Sequence, residues 1–147
     1  MIKLSLGCGE DYRSGYVNID RSPEVKTDYC FDIAQEGLTS RFKEVDEIHS
    51  GCMLEQLTPE QFMFVVNECW QVLREGGKLE GYVPSTDPRV LHLDPMDILF
   101  FQEDSFKYLC RDEIHYQRFG KSYGFLPWSS YKASRNSEGI IFFELIK

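Results

Sequence analysis

One stretch near the N-terminus constrains the fold more than any other, because two apolar segments flank a glycine turn and the second ends on an acid. Residues 2–6 alternate apolar and polar side chains, which is typical of a half-buried strand. Gly7 and Gly9 follow, where a chain must turn sharply and a ligand can approach the backbone. Residues 16–20 form a second predicted strand ending on Asp20. This pattern favours a nucleoside-like ligand at the carboxyl edge of a parallel sheet; the alternative is an ordinary glycine turn in an α/β domain.

The glycine turn differs from the common phosphate-binding loops. A dinucleotide fingerprint requires a third glycine three residues after the second, and an acid about 20 residues further on. Tyr12 stands at the position of that glycine, and Asp20 comes too early. A nucleotide phosphate loop requires Gly-Lys-Ser/Thr, which the chain lacks. The pattern therefore disfavours NAD and ATP and favours a nucleoside without a pyrophosphate.

The connections after the first two predicted strands are unusually short. Residues 10–15 and 21–27 leave no room for crossover helices, since a parallel connection normally takes a dozen residues or more. We therefore expect both helices to be reduced to loops. A third strand is predicted over residues 28–32 and again ends on an acid. Asp32 and Ile33 would then flank the base of a bound nucleoside, or Asp32 would simply cap the turn of residues 34–38.

The middle of the chain predicts a strand, a helix and a further strand. Residues 45–50 are interpreted as the fourth strand, leading into Gly51. Residues 58–61, Thr-Pro-Glu-Gln, combine an N-cap threonine, a proline at the first helical position and a capping-box glutamine. Apolar residues at helical spacing follow, Arg74 is expected in the last turn, and Gly76-Gly77 are expected to end the helix. Residues 78–84 are predicted as the fifth strand.

Composition and charge limit the class of protein. A chain of 147 residues corresponds to one domain, which we expect to span residues 1–147. The net charge of −8 and the lack of basic runs disfavour nucleic acid as a partner, so small or carbohydrate-like substrates fit better. No run of 18 apolar residues predicts a membrane span. Five cysteines at scattered spacings favour free thiols in a reducing cytoplasm over disulfides or zinc.

Several segments, in this order, resemble the motifs of class I S-adenosylmethionine-dependent methyltransferases. Residues 6–9 and 15–20 look like motif I and the acidic end of the second strand in that family. Residues 45–57 are similar to the fourth-strand motif, and residues 72–79 are similar to the glycine turn before the fifth strand. The resemblance covers roughly residues 3–84. It is nearest to small stand-alone members of the type 11-like group.

The resemblance implies a role for each matching position. The glycine turn would approach the methionyl and ribose parts of S-adenosylmethionine, and Asp20 would take the ribose hydroxyls. Asp32 and Ile33 would lie at the adenine, with Ser50 and Gly51 beside the methionyl end. No metal is implied. The expected cofactor-binding set is Gly7, Cys8, Gly9, Asp20, Arg21, Asp32, Ile33, Ser50 and Gly51.

The sequence assigns no catalytic residue. Methyl transfer from a sulfonium requires mainly alignment and desolvation, and only sometimes a base. His49 is the candidate base because it is next to the predicted site, although a histidine in a strand is also typical of a structural role. Glu55 is expected to orient a helix or the cofactor loop. Cys8 and Cys52 are expected to pack as small residues.

Residues 85–130 form an insert, rich in aromatic residues and prolines, with the weakest pattern in the chain. It would form an acceptor pocket or lid, or it would pack as helix over bare sheet. Residues 131–135 and 140–145 are predicted as a closing hairpin. The whole pattern predicts an α/β fold with three layers. Its sheet would be Rossmann-like and mostly parallel, end in an antiparallel hairpin strand, and have the helices between its first three strands reduced to loops.

Missing helices leave one face of the predicted sheet thinly covered. Parallel sheets are normally covered on both faces. We therefore expect the thin face to be covered either by residues 89–125 or by a second copy of the chain, which would make a homodimer.

Three functions stay open at the level of sequence. The resemblance implies an enzyme of the EC 2.1.1 class that transfers a methyl group to a small-molecule or glycan-linked acceptor and releases S-adenosylhomocysteine. The alternative is an inactive, S-adenosylmethionine-binding regulatory or partner subunit, since Ser5, Asp11 and Gln56 depart from the family pattern. An aminopropyl transferase is disfavoured because the sequence has no evident acidic diamine site.

Overall fold

Seven strands form a single sheet in the computed structural model, which describes residues 1–147. The strands are β1 (Lys3–Leu6), β2 (Val17–Asp20), β3 (Tyr29–Cys30), β4 (Val45–Gly51), β5 (Leu73–Pro84), β6 (Ser130–Arg135) and β7 (Ile140–Ile146). Their spatial order is β3-β2-β1-β4-β5-β7-β6. The first five strands run parallel, and β7 pairs antiparallel with both β5 and β6. The mostly parallel, Rossmann-like sheet with a closing antiparallel hairpin is confirmed.

Helical structure is sparse. The α-helices are α1 (Ile33–Glu36), α2 (Pro59–Val72) and α3 (Lys121–Tyr123), with 3₁₀ turns at Leu54–Gln56 and Glu103–Tyr108 and a π turn at Tyr116–Gly120. None of the helices combines the length and the apolar composition that a membrane-spanning helix requires. None separates β1 from β2 or β2 from β3, so the reduction of both connections to loops is confirmed.

The loop between β1 and β2 folds back on the sheet through Asn18. The Asn18 side-chain amide donates to the carbonyl oxygens of Arg13 and Tyr16, each at 3.0 Å, and its oxygen accepts from the Arg13 N–H at 2.8 Å. Asn18 is fully buried, and these bonds satisfy its polar atoms. A loop therefore packs against the sheet at the place where a crossover helix would normally lie.

Helix α2 begins where the sequence predicted. The Thr58 hydroxyl accepts from the Gln61 N–H at 3.2 Å, and the Gln61 side chain accepts from the Thr58 N–H at 3.0 Å. The predicted end at Gly76-Gly77 is wrong, because α2 stops at Val72 and Leu73 opens β5. Leu73 is buried and pairs with Val45 of β4, so pairing in the sheet overrides the helical pattern.

Arg74 was expected in the last turn of α2 and lies in β5 instead. Its guanidinium Nε is 2.6 Å from the Asp46 carboxylate of the neighbouring strand. Strand β5 is therefore 12 residues long and not the seven that the sequence predicted. A register shift against β4 between Val45 and Glu47 accommodates the extra residues.

The insert packs on the same face of the sheet as α2. The ring of Phe106 lies 4.8 Å from that of Phe143 on β7, and Phe101 lies 5.6 Å from Phe62 on α2. The expectation that residues 89–125 cover the thin face is therefore wrong. The insert does contain helix, since residues 114–123 are continuously helical, but it packs on the face that α2 also covers. Its buried side chains, Trp128 among them, belong to the same hydrophobic core as the buried residues of α2.

The opposite face of the sheet carries charged side chains in ion pairs. Lys3 Nζ is 3.1 Å from the Glu47 carboxylate. Lys78 lies between three carboxylates, with Nζ 3.5 Å from Glu80 and 3.8 Å from both Glu47 and Glu144. We call this surface the charged face. The two faces thus differ sharply in polarity, and the core lies between the sheet, α2 and the insert.

Candidate functional site

A cavity of about 280 Å³ lies at the edge of the sheet where β1 and β2 end. Six of the nine predicted cofactor-binding residues line it, namely Gly7, Gly9, Asp20, Arg21, Asp32 and Ile33. The sequence did not predict several further lining residues, including Phe31, Met53, Leu57 and Gln61. The cavity wall is therefore built from the ends of the first three strands on one side and from residues 52–61 on the other.

The Asp20 carboxylate is held in place by two backbone donors. Its Oδ2 accepts from the Gly9 N–H and its Oδ1 accepts from the Ser22 N–H, both at 2.9 Å. A carboxylate has about four acceptor sites, so each oxygen retains capacity for a further donor. The glycine turn and the acid converge on the cavity, and the remaining acceptor sites suit a diol.

The glycine turn depends on left-handed backbone conformations. Gly7 has φ of 61° and Gly9 has φ of 51°, which side chains other than glycine rarely adopt. A Cβ added to Gly7 would lie 2.6 Å from Cγ of Met53, whereas one added to Gly9 would meet nothing within 4 Å. Gly7 is therefore required by its neighbour as well as by its backbone, and Met53 packs over the turn.

The far end of the cavity combines apolar side chains with one acid. Phe31 and Ile33 are buried beside it. Asp32 is the N-cap of α1, and its Oδ1 accepts from the Ala34 N–H at 2.9 Å. Arg21 Nη1 stands 4.0 Å from the other Asp32 oxygen. The capping interpretation of Asp32 is confirmed, and the same side chain also lines the cavity.

Three predicted residues are not in the cavity wall. Cys8 is buried, with its Sγ 3.7 Å from the Lys26 carbonyl oxygen. Ser50 is fully buried, and its hydroxyl has no hydrogen-bond partner. A Cβ added to Gly51 would meet the Tyr82 ring and not the cavity. The chain reaches the cavity one residue later, at Cys52, whose φ of 50° turns it away from β4.

His49 does not line the cavity. It lies on the charged face, where Nδ1 is 3.3 Å from Glu80 Oε1, and its ring centroid is 5.8 Å from that of Tyr82. Burial lowers the pKa of His49, and the nearby Arg13 lowers it further. Its Nε2 is buried without a hydrogen-bond partner. The lowered pKa favours the neutral ring, and the side chain lies away from the cavity.

Glu55 is the most perturbed carboxyl close to the cavity wall. It is 2% exposed, and its Oε2 has no hydrogen-bond partner. Burial raises the pKa of Glu55 to about 7, and the carboxylate of Asp97 adds to the effect. Its backbone oxygen accepts from the N–H groups of Ile98 and Leu99 at 2.7 and 2.9 Å. Glu55 therefore joins the cavity wall to the insert.

Comparisons with known proteins place this geometry in a structural class. No protein-family model matches the chain, and no curated protein sequence matches it significantly. Solved structures do match. A SAM-dependent methyltransferase from Archaeoglobus fulgidus aligns over 99% of this chain and 85% of its own, with a TM-score of 0.67 and 12% identity. DhpI in complex with SAM and HEP aligns over 99% of this chain and 78% of its own, with a TM-score of 0.67 and 12% identity.

A third similar structure is the complex between the Haloferax volcanii Trm112 methyltransferase activator and the putative methyltransferase. It aligns over 99% of this chain and 81% of its own, with a TM-score of 0.61 and 13% identity. At these identities the shared property is the fold. The chain therefore has the class I, Rossmann-like fold of S-adenosylmethionine-dependent methyltransferases.

Proposed function

We propose that the protein is an S-adenosylmethionine-dependent methyltransferase that acts on a small-molecule or glycan-linked acceptor. The observation that carries the proposal is the Asp20 carboxylate, which the Gly9 N–H orients at 2.9 Å on the edge of the cavity. The fold supports it, since the similar structures include SAM-dependent methyltransferases.

The cavity residues fit an adenosine. Asp20 would accept hydrogen bonds from both ribose hydroxyls, because each of its oxygens has acceptor capacity left after the backbone bonds. Phe31 and Ile33 offer buried apolar surface to a base, and Asp32 offers an acceptor at its edge. Gly7, with Met53 over it, would face the methionyl part.

The chemistry asks for alignment more than for a catalytic group. The bound cofactor would supply an electrophilic sulfonium methyl group. The protein would hold the acceptor in line with that methyl group and exclude water, which accounts for a large part of the barrier reduction in such reactions. Of the cavity-lining residues none is a histidine, so His49 is not proposed as the base.

A regulatory or partner subunit that binds S-adenosylmethionine without transferring its methyl group is the second candidate. The burial of Ser50 and the absence of Gly51 from the cavity wall favour it, because both residues match family positions at the methionyl end yet lie outside the cavity. The similar complex with an activator shows that a methyltransferase-type chain can work with a partner protein.

Calorimetry with S-adenosylmethionine and S-adenosylhomocysteine tests binding. Asp20→Asn should weaken both affinities at least tenfold, since a hydrogen bond to a charged group contributes about 1.5–3 kcal/mol and about 1.4 kcal/mol is tenfold. Asp112→Asn is the matched control, because Asp112 is exposed and remote from the cavity wall. No binding by the wild type, or equal binding by Asp20→Asn, would contradict the proposal.

Activity distinguishes the two candidates. Methyl transfer from labelled S-adenosylmethionine to a panel of sugars and small metabolites is expected for the enzyme. Binding of both ligands with no transfer to any member of the panel, alone or with a partner protein, would favour the binding subunit.

A further inference from the structure

A second cavity, of about 350 Å³, lies within the insert and is separate from the first. Its wall combines two aromatic rings, those of Phe100 and Tyr108, with uncharged polar side chains and one acid. The polar members are Thr86, Gln102, Asp104, Ser105 and His115. Nothing in the cofactor-binding proposal uses these residues.

The two cavities open on the same edge of the sheet. Strand β5 runs parallel to β4 and ends at Pro84, and Thr86 in the second cavity follows two residues later. The N–H groups of Ile98 and Leu99 donate to the Glu55 carbonyl oxygen. That contact joins the segment carrying Phe100 to the 3₁₀ turn that carries Gln56, which lines the first cavity. The two cavities are therefore linked through this backbone contact, and no lining residue is common to both.

The charge of the second cavity indicates an uncharged ligand. No lysine or arginine lines it, so a phosphate or carboxylate group would find no cation. Its one carboxylate, on Asp104, is 3.1 Å from Lys107 Nζ, which offsets the attraction for a cation. Hydroxyl, amide and imidazole groups both donate and accept, as do the hydroxyl groups of a polyol.

The aromatic side chains add a surface for stacking. The Phe100 ring is 58% exposed and forms part of the cavity wall, so it can contact a ligand. Tyr108 is held by stacking on Tyr123 at 6.3 Å and by His115 at 5.2 Å. Aromatic rings beside neutral polar side chains suit a sugar ring, which has C–H groups on its faces and hydroxyls on its rim.

We infer that the second cavity binds a neutral sugar ring, and that this sugar is the part of the acceptor that positions it beside the cofactor. The role as acceptor site rests on the proposed function. The binding itself does not, because no residue of the first cavity contacts the sugar.

Titration of the cofactor-free protein with methyl glycosides, followed by amide chemical shifts, tests the binding. The probes are the methyl glycosides of glucose, galactose, mannose and N-acetylglucosamine, at concentrations up to tens of millimolar. We expect shifts at Thr86, Gln102 and His115 for at least one probe. Phe100→Ala should weaken that binding roughly tenfold. This factor corresponds to about 1.4 kcal/mol, which is typical of an aromatic contact.

Two control variants distinguish a failure of this inference from a failure of the proposed function. Phe142→Ala removes a comparably exposed phenylalanine on the charged face, 48% exposed against 58% for Phe100, and should leave glycoside binding unchanged. Asp20→Asn should also leave it unchanged. No shifts around the second cavity with any probe, or equal binding by Phe100→Ala, would overturn the inference whatever calorimetry gives for S-adenosylmethionine. Shifts without cofactor binding would support the sugar site and contradict the methyltransferase.

Discussion

The carboxylate of Asp20 accepts from the Gly9 N–H and from the Ser22 N–H, and these two bonds fix its direction before any ligand arrives. A side chain that is already oriented loses little conformational freedom on binding, so more of the interaction energy is available for affinity. Asp20 was predictable because an acid at the end of a strand is visible in the sequence. The Ser22 contact was not, since it depends on how the following loop turns.

Alanine substitution should lower the unfolding free energy by different amounts at the two glycines of the turn, Gly7 and Gly9. Both have positive φ, so alanine costs roughly 1–2 kcal/mol of unfolding free energy at either position. Only at Gly7 would the new methyl group also displace Met53, whose Cγ is 2.6 Å from the added Cβ. Gly7→Ala should therefore destabilise the protein more than Gly9→Ala in urea unfolding. Equal losses would show that Met53 moves without cost.

Glu55 should make stability depend on pH. Its carboxyl has a pKa of about 7 in the folded protein and about 4.3 when unfolded, so the folded state keeps its proton to higher pH. The stability that Glu55 contributes is therefore present below about pH 4.3 and is lost as the pH rises through 7. At 1.36 kcal/mol per pKa unit the full loss is about 4 kcal/mol, of which about 3 kcal/mol falls between pH 4.5 and pH 8.

Comparing Glu55→Gln with the wild type isolates this effect. The unfolding free energy of Glu55→Gln minus that of the wild type should be about 3 kcal/mol larger at pH 8 than at pH 4.5. Urea unfolding at both pH values measures it, with the exposed Glu75→Gln as control. A difference that does not change with pH would show that Glu55 ionises normally.

At the scale of the element, α2 is tied to the cavity wall through Glu68. The Glu68 carboxylate accepts from the N–H groups of Leu38 and Thr39 at 2.6 and 2.8 Å. These residues follow α1, whose N-cap is the cavity residue Asp32. The helix therefore supports one side of the cavity by hydrogen bonds as well as by packing.

Glu68→Gln should lower the unfolding free energy by about 1–2 kcal/mol, because a neutral amide oxygen accepts the two backbone N–H bonds more weakly than the carboxylate oxygen does. Glu60→Gln, on the first turn of the same helix, should cost a few tenths of a kcal/mol through the helix dipole alone. Urea unfolding compares the two. If both variants lose the same amount, Glu68 does not anchor the segment after α1.

The first residues of α2 could be predicted from the neighbouring sequence, but the last residue of the helix could not. Thr58, Pro59 and Gln61 act on backbone groups within one turn, so the capping box is encoded locally. The end is decided by Leu73, which pairs with Val45 from a distant part of the chain. The same limit applied to Ser50 and Gly51, because the turn towards the cavity occurs at Cys52, with positive φ on a residue other than glycine.

At the scale of the whole molecule, the order of strands and loops predicted the fold class, but it did not predict which face the insert would cover. The insert packs on the α2 face because the apolar core that Phe106 and Trp128 join lies on that face. The charged face carries the ion pairs around Lys78, and the loop between β1 and β2 replaces a covering helix. Nothing in the local pattern of residues 85–130 distinguishes the two faces.

A homodimer across the charged face stays a prediction. Phe142, 48% exposed, and the neighbouring Tyr82 ring at 5.7 Å form an apolar strip in this otherwise charged surface. If a second copy covers the strip, sedimentation velocity at micromolar concentration should give the mass of a dimer, and added salt should not dissociate it, because screening reduces the repulsion between two chains of net charge −8. A monomer at that concentration would remove the prediction.

A crystal structure with S-adenosylhomocysteine tests the central claim most directly. The account predicts both ribose hydroxyls within hydrogen-bond distance of the Asp20 carboxylate, with the Gly9 N–H still bound to it and the adenine against Phe31 and Ile33. A ligand bound elsewhere, or a ribose that does not reach Asp20, would contradict the account.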